Sequence, residues 1–161
     1  MWRSTPGMSV VATAIEGVAA LTRQLKELGD PKAQAATLRA AVRTPMRAVM
    51  AKAKANIASI SPGQTDIHRT YKGRMVGAGF AARSIRVKIQ LSRDKEAAFA
   101  FLGVAPEAFY AVQFFELGTA HIAKQPWLVP AFESSQNAMV QGIADELRKR
   151  IERIAKQRGG K

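Results

Sequence analysis

The side chains that most often carry catalysis are few in this sequence and lie far apart. The chain has two histidines, His68 and His121, and no cysteine, so disulfides and thiolate metal sites are excluded. No cluster of His, Asp and Glu has the spacing of a metal site. The pair of glycines at 77 and 79 is too weak a signal for a phosphate-binding loop. We therefore predict that the protein is not an enzyme and holds no cofactor and no metal.

Glu116 is the carboxylate with the most unusual surroundings, since it lies between aromatic residues and Gly118. It comes near the end of a short helix predicted over 109–117, where the helix dipole disfavours an unpaired acid. No second acid or histidine accompanies Glu116 at a spacing useful for catalysis. We expect instead a basic partner, which would be Arg83, Arg86 or a residue of a neighbouring subunit.

The basic residues are better organised than the acidic ones. The chain has 25 Lys and Arg against 12 Asp and Glu, a formal charge of +13 that attracts nucleic acid, anionic membranes and acidic proteins. Arg39, Arg43 and Arg47 recur every four residues, with Lys54 two turns further along the same side of a predicted helix. We predict an interface on this side. Three explanations of the basic residues remain open. The face is merely solvated, it contacts an acidic ring formed by a neighbouring protein, or it contacts DNA.

A second basic stretch, residues 61–82, contains four glycines and shows no apolar periodicity. Its bases are Arg69, Lys72 and Arg74 against one acid, Asp66. We predict a long basic interface loop that is mobile in the free protein and ordered by neighbouring proteins. Backbone amides in this stretch should therefore exchange hydrogen quickly in the free subunit. Strong protection there would show that the loop belongs to the fold.

Two predicted helices precede this loop. Apolar residues at three- and four-residue spacing from Val18 predict a short helix that Gly29 ends. The Ala-rich stretch 32–60 predicts a long helix. Pro45 lies inside that stretch and must either kink it or begin a second helix. An apolar run over 9–15 predicts a short N-terminal strand.

A hairpin and two further helices follow the loop. Strict alternation over 84–91 and a similar stretch over 97–104 predict a β-hairpin. After the short helix over 109–117, Pro130 opens a long C-terminal helix. The order predicts an α+β fold. Its small antiparallel sheet, the hairpin at about 84–104 plus the N-terminal strand, is packed by the long Ala-rich helix and the long C-terminal helix.

The chain length suits one domain, predicted over 8–155 and including the basic loop. A flexible arm over 1–7 precedes it, and a basic tail over 156–161 follows. The longest stretch without charge or proline, 97–105, is too short to cross a membrane. The N-terminal residues lack the pattern of a signal peptide. We expect a soluble protein with no membrane partner.

The most informative pattern spans Tyr110–Thr119 and Gln125–Glu133. It runs Tyr-Ala, an aromatic, Glu, one residue and Gly-Thr, then a short spacer, then Pro, an aromatic, Leu, one residue and Pro-Ala. This pattern resembles the signature of the tail-component family of lambda-like long-tailed bacteriophages and prophages. The motif residues are Tyr110, Phe114, Glu116, Gly118, Thr119, Pro126, Trp127, Leu128 and Pro130.

Upstream elements fit the family as well, so the resemblance covers residues 8–155. It implies a structural virion protein of the neck or upper tail, which completes the tail and joins it to the head. Implied partners are further copies in a ring, preferably a hexamer, and the adaptor, tail-terminator and tail-tube proteins, with possible contact to packaged DNA. It also implies assembly in the host bacterial cytoplasm. A tail terminator or head-side adaptor stays open, and a basic nucleic-acid-binding module is the alternative outside this class.

The motif residues also have expected physical roles. Tyr110 and Phe114 share a helix face and, with the adjacent Phe115, are expected to fill the core between hairpin and long helix. Gly118 is expected to end the helix with a positive φ. Pro126 and Pro130 bracket residues 127–129, so we expect an extended approach into the last helix. The Trp127 indole fills the core or anchors a subunit interface, and the sequence leaves both open.

Overall fold

The computed structural model describes residues 18–27, 29–60, 68–69, 73 and 75–159. The helices are α1 (18–27), α2 (Pro31–Ser59), α3 (Phe80–Ser84), α4 (Pro106–Leu117), α5 (Val129–Glu133) and α6 (Gln136–Gly159). The strands are β1 (His68–Arg69), β2 (Met75–Val76), β3 (Ile85–Leu91) and β4 (Ala98–Val104). They form two two-stranded sheets, β1 with β2 and β3 with β4. The α+β prediction, with an antiparallel hairpin packed by long helices, is confirmed.

The chain divides into two compact units, which are described separately. The first unit comprises Met1–Met46, Ile89–Ala100 and Gln136–Lys161. The second unit comprises Arg47–Lys88 and Phe101–Ser135. Helix α2 and both strands of the hairpin contribute residues to each.

Three helices form the core of the first unit. Leu25 of α1 and Leu147 of α6 are almost fully buried, and Leu38 and Ala41 of α2 lie in the same cluster. Burying a leucine side chain stabilises the fold by about 1.5–3 kcal/mol, so these contacts hold the helices together. Leu91 and Ala98 of the hairpin pack on this cluster from their own strands.

Helix α2 begins with a cap made by the side chain of Asp30. Asp30 Oδ1 accepts the backbone N–H groups of Lys32 at 2.9 Å and Ala33 at 3.2 Å, and Pro31 is the first helical residue. The helix then runs through Pro45 to Ser59 without a break. A second helix starting at Pro45 is therefore wrong. Burial of Pro45 and Met46 in the first unit compensates for the backbone bond that proline cannot make.

The hairpin turn carries an acid whose ionised form is stabilised. The Ser92 hydroxyl and the Glu96 N–H both donate to Asp94 Oδ1, and together they lower the pKa of its carboxyl below the usual 3.8. A depressed folded-state pKa contributes stability above the unfolded value, and this is lost as pH falls through the folded value. We expect an NMR titration to place the Asp94 midpoint below the usual 3.8 of an aspartate carboxyl. A midpoint at the ordinary value would show that the turn bonds do not persist.

The alternation of β3 and β4 is confirmed, with one face of each strand turned outward. Phe99 and Phe101 share a face of β4, and each is 52% exposed. Arg86 and Lys88 lie on the outward face of β3. The aromatic side chains of β4 therefore do not fill either core.

Two helix boundaries differ from the predictions. Helix α4 starts at Pro106, earlier than expected, because proline is well suited to the first helical position. The long C-terminal helix is confirmed, but its predicted start at Pro130 is wrong, since the short helix α5 ends at Glu133 and the long helix α6 starts at Gln136. Ser134 and Ser135 separate them, and the Ser135 N–H donates to the Phe132 carbonyl in a tighter turn. Serine favours such turns because its hydroxyl competes for backbone groups.

Part of the predicted loop over 61–82 has regular structure. His68 pairs with Val76 and Arg69 with Met75 in an antiparallel register, and α3 begins at Phe80. Strands of two residues are too short to produce a periodic pattern, which is why the sequence did not reveal them. Lys72, Arg74 and the side chain of Arg69 lie outside the described part, as do the predicted strand over 9–15 and the arm over 1–7. The mobility of the loop stays a prediction.

Neither long helix in the described ranges contains an apolar window that could cross a bilayer.

Candidate functional site

Glu116, at the C-terminal end of α4, is held by three backbone N–H groups. Its Oε2 accepts those of Trp127 and Leu128, each at 2.8 Å, and its Oε1 accepts that of Val129 at 3.0 Å. These donors lie at the start of α5, where N–H groups have no acceptor within the helix. Bonds to a carboxylate are stronger than neutral ones, so one side chain fixes the approach to α5. We call Glu116 with residues 127–129 the Glu116 clasp.

The basic partner expected for Glu116 is not found among the described residues. The Arg83 guanidinium donates to the Ala78 carbonyl, and Arg86 lies on the outward face of β3. Backbone donors stabilise the acid instead, and they belong to a segment 11 to 13 residues away in sequence. Complementary charges in the sequence could not predict these backbone donors, because every residue except proline carries the same N–H group.

Trp127 lies in the core of the second unit and is 3% exposed. Its indole Nε1–H donates to the Val112 carbonyl at 3.1 Å, so its polar group is satisfied inside the fold. The Trp127 carbonyl accepts from the Asn56 side-chain amide at 2.9 Å. Asn56 and Lys52, whose ammonium donates to Ser134, were missed by the sequence analysis, because nothing near them in sequence indicates a partner.

The Gly-Thr part of the motif folds the chain back onto α4. Gly118 has the predicted positive φ, 76°, and its N–H donates to the Phe114 carbonyl at 2.8 Å. A Cβ at Gly118 would come within 3.2 Å of Lys124 Cβ, so a side chain there meets both strain and crowding. Thr119 Oγ1 accepts the Ile122 N–H at 2.9 Å. These contacts fix the spacer between the two halves of the motif.

The remaining motif residues are less buried. Phe115 fills the core of the second unit, but Phe114 is 37% exposed, so the expectation that Phe114 is a core residue is wrong. Leu128 and Pro130 are half-buried and Pro126 is exposed. The extended approach expected over residues 127–129 is wrong for Leu128, which has right-handed helical backbone angles, and for Val129, which begins α5. The backbone of Tyr110 is helical, and its side chain lies outside the described part.

An apolar groove of about 420 Å³ lies beside the clasp, within the second unit. Its walls come from the end of β4, one side of α4 and the segment after the spacer. The lining residues are Leu102, Gly103, Val104, Phe109, Val112, Gln113, Glu116, Leu117, Trp127 and Leu128. Leu117, at the rim, is 73% exposed.

The predicted basic residues of α2 are placed as the spacing required. Arg39, Arg43 and Arg47 are exposed, and Lys54 is half-buried. None of the three arginines forms an ion pair with a residue that the structure describes. Their charges are therefore available to a partner.

Within the described ranges, no three His, Asp or Glu side chains are placed so that they could share a metal ion. Comparison with family models, with curated proteins and with solved structures found no match for this chain.

Proposed function

We propose that the protein is a structural subunit of a long-tailed bacteriophage virion and not an enzyme. It acts at the head-proximal end of the tail, in tail completion or head–tail joining. The observation that carries this proposal is the Glu116 clasp. The motif by which the chain resembles the tail-component family uses its one carboxylate to bind three backbone N–H groups. A general acid or base must reach substrate, whereas this carboxylate shapes a surface.

The surfaces left outside the clasp suit assembly. An apolar groove with an exposed leucine at its rim and a row of exposed arginines on α2 are features of protein contacts. In this function the subunit forms a ring with further copies, and the ring meets the adaptor, tail-terminator or tail-tube proteins. A tail terminator or a head-side adaptor would use the same surfaces. The protein assembles in the host cytoplasm and becomes part of the virion.

The proposal is tested by complementation in vitro. Tails assembled without this protein are mixed with filled heads, and purified protein is added back. We expect added protein to restore infectious particles and to copurify with them. A protein that never enters particles and has no effect on joining would overturn the proposal. Portal or capsid genes upstream and a tail-tube gene downstream would support it independently.

The exposed arginines of α2 favour a second candidate, a nucleic-acid-binding module. This function requires affinity for naked duplex DNA that falls steeply with salt, because each neutralised phosphate releases counterions. Fluorescence anisotropy with a labelled duplex at several salt concentrations separates the two. Tight, strongly salt-dependent binding together with absence from virions would favour the second candidate.

A further inference from the structure

The outward face of the β3–β4 hairpin brings two bases and an aromatic ring together within the second unit. The register of the hairpin is fixed at its two ends by backbone hydrogen bonds, which run from Ser92 to Ala97 and from Ala105 to Ser84. In this register Lys88 lies directly opposite Phe101, and Arg86 lies opposite Gly103. Directly opposed residues share a face of the sheet, so the Lys88 and Phe101 side chains begin about 5 Å apart. We call these four residues the hairpin patch.

The charge of the hairpin patch is not neutralised by the residues that the structure describes. Neither Arg86 nor Lys88 forms an ion pair with any of them, and strands β3 and β4 contain no acidic residue. The acids in the described part of the second unit lie on α4 and α5. Glu116 is held by three N–H groups, Glu107 has an interaction of its own, and Glu133 lies on α5. The two bases are therefore available to an anion.

The ring of Phe101 has open space beside it on the same face. Phe101 is 52% exposed, and the next residue on that face of β4 is Gly103. A Cβ built at Gly103 would meet no atom within 4 Å. Gly103 does not have a positive φ, so the strand itself does not require a glycine there. A flat ring with free space at its side can stack with a planar group of a ligand.

We propose that the hairpin patch binds single-stranded DNA, with one base stacked on Phe101 and neighbouring phosphates bound by Arg86 and Lys88. The two bases lie two positions apart, about 6.8 Å along β3, which suits successive phosphates of an extended strand. Sites for single strands combine such a basic surface with an exposed aromatic ring, because every nucleobase has a face that stacks. The inference goes beyond the proposed function and does not depend on it.

The same features disfavour other anionic partners. A duplex keeps its bases stacked on one another, so it would use the two charges and leave the Phe101 ring without a role. An acidic peptide would pair with Arg86 and Lys88 but brings no aromatic face to the space beside the ring. Arg86 and Lys88 only donate hydrogen bonds, so neither side chain could accept one from the 2′-hydroxyl that distinguishes RNA. The occupant that fits the whole patch is therefore single-stranded DNA.

The role of the ring is tested by fluorescence anisotropy on the purified protein, with a labelled oligothymidylate of about 12 nucleotides. Phe101→Leu removes the ring and keeps an apolar side chain, and we expect the affinity to fall by at least about fivefold. The matched control is Phe109→Leu, because Phe109 is 50% exposed in the same unit but lies on α4. The control should bind like wild type. A duplex of the same length should bind wild type and Phe101→Leu equally.

The role of the charges is tested by the salt dependence of the same binding. The double variant Arg86→Gln with Lys88→Gln should reduce the slope of log affinity against log salt by about 1.4, since each phosphate contact on a single strand contributes about 0.7. Phe101→Leu should lower the affinity without changing this slope, because the ring contacts no phosphate. Lys149→Gln with Arg153→Gln removes two exposed charges from α6 and should leave the slope unchanged.

Gly103→Val tests the space beside the ring while keeping the ring and both charges. Valine suits a strand, so the variant should stay folded by circular dichroism and bind single-stranded DNA at least about fivefold more weakly. Unchanged affinity of Phe101→Leu, or equal loss in Phe109→Leu, would overturn the proposal whether or not the valine variant folds. Equal loss of slope in the α6 variant would show a response to net charge alone and would also overturn it. An RNA oligomer that bound more than about tenfold tighter than DNA would overturn the assigned occupant.

Discussion

Glu116→Ala should lower the free energy of unfolding by about 2–4 kcal/mol, since each partly buried N–H group that loses its acceptor costs about 1–3 kcal/mol before solvent relieves it. The three N–H groups of residues 127–129 lose their acceptor together in this variant. Urea denaturation followed by Trp127 fluorescence in the Trp2→Phe background measures the loss. The same experiment reports on the second unit, where Trp127 is buried.

Two companion variants show whether the loss comes from the clasp. Glu133→Ala removes an exposed acid from α5 and should change stability by less than about 0.5 kcal/mol. Glu116→Gln keeps one oxygen acceptor, so its free energy of unfolding should lie between those of wild type and Glu116→Ala. If the alanine variant were as stable as wild type, the Glu116 hydrogen bonds would not hold the motif together, and the clasp would lose its role in the proposed function.

Reversing the three arginines of α2 to glutamate should block head–tail joining while leaving the subunit folded. The three arginines form no ion pair with a described residue, so their removal breaks none, and three glutamates at the same spacing repel one another about as much as the arginines did. If the arginines contact an acidic ring or DNA, the reversed charges repel that partner. We expect complementation to fall by at least tenfold, and high salt during joining to weaken the wild type in the same direction.

The matched control reverses three exposed bases of α6. Lys149, Arg153 and Lys156 are exposed, and their reversal gives the same net charge of +7 in place of +13. Joining by this control should stay near wild type if the effect is specific to α2. Normal joining by the α2 variant would identify that face as merely solvated. Equal loss in both variants would indicate a response to net charge alone.

Elements with a strong periodic pattern were predictable from the sequence, and contacts between distant segments were not. The alternation over 84–91 predicted the bounds of strand β3 closely, and the Ala-rich stretch predicted helix α2. The break between α5 and α6 was missed because two serines interrupt a helix only weakly by propensity. The orientation of Phe101 was also missed, since alternation reveals two faces but not which one is covered.

The contacts of the candidate site also join segments that are distant in sequence, so they were the hardest to predict. The positive φ of Gly118 was predicted correctly, but the hydrogen bond from the Trp127 N–H to Glu116 was not, and the basic partner predicted for Glu116 is not supplied by the described residues. Charges can be recognised in a sequence, whereas a backbone N–H becomes a specific partner only after the chain has turned at Gly118. The groove likewise arises from three elements that are separate in sequence.

The outward aromatic residues of β4 have a consequence for how the free protein behaves before assembly. Phe99 and Phe101 are each half exposed on a two-stranded sheet, a surface that favours indiscriminate association at high concentration. The formal charge of +13 opposes this by keeping copies apart at low ionic strength. Purified protein should therefore remain dispersed in dilute buffer and precipitate as salt screens its charge. Its colloidal stability is thus set by ionic strength.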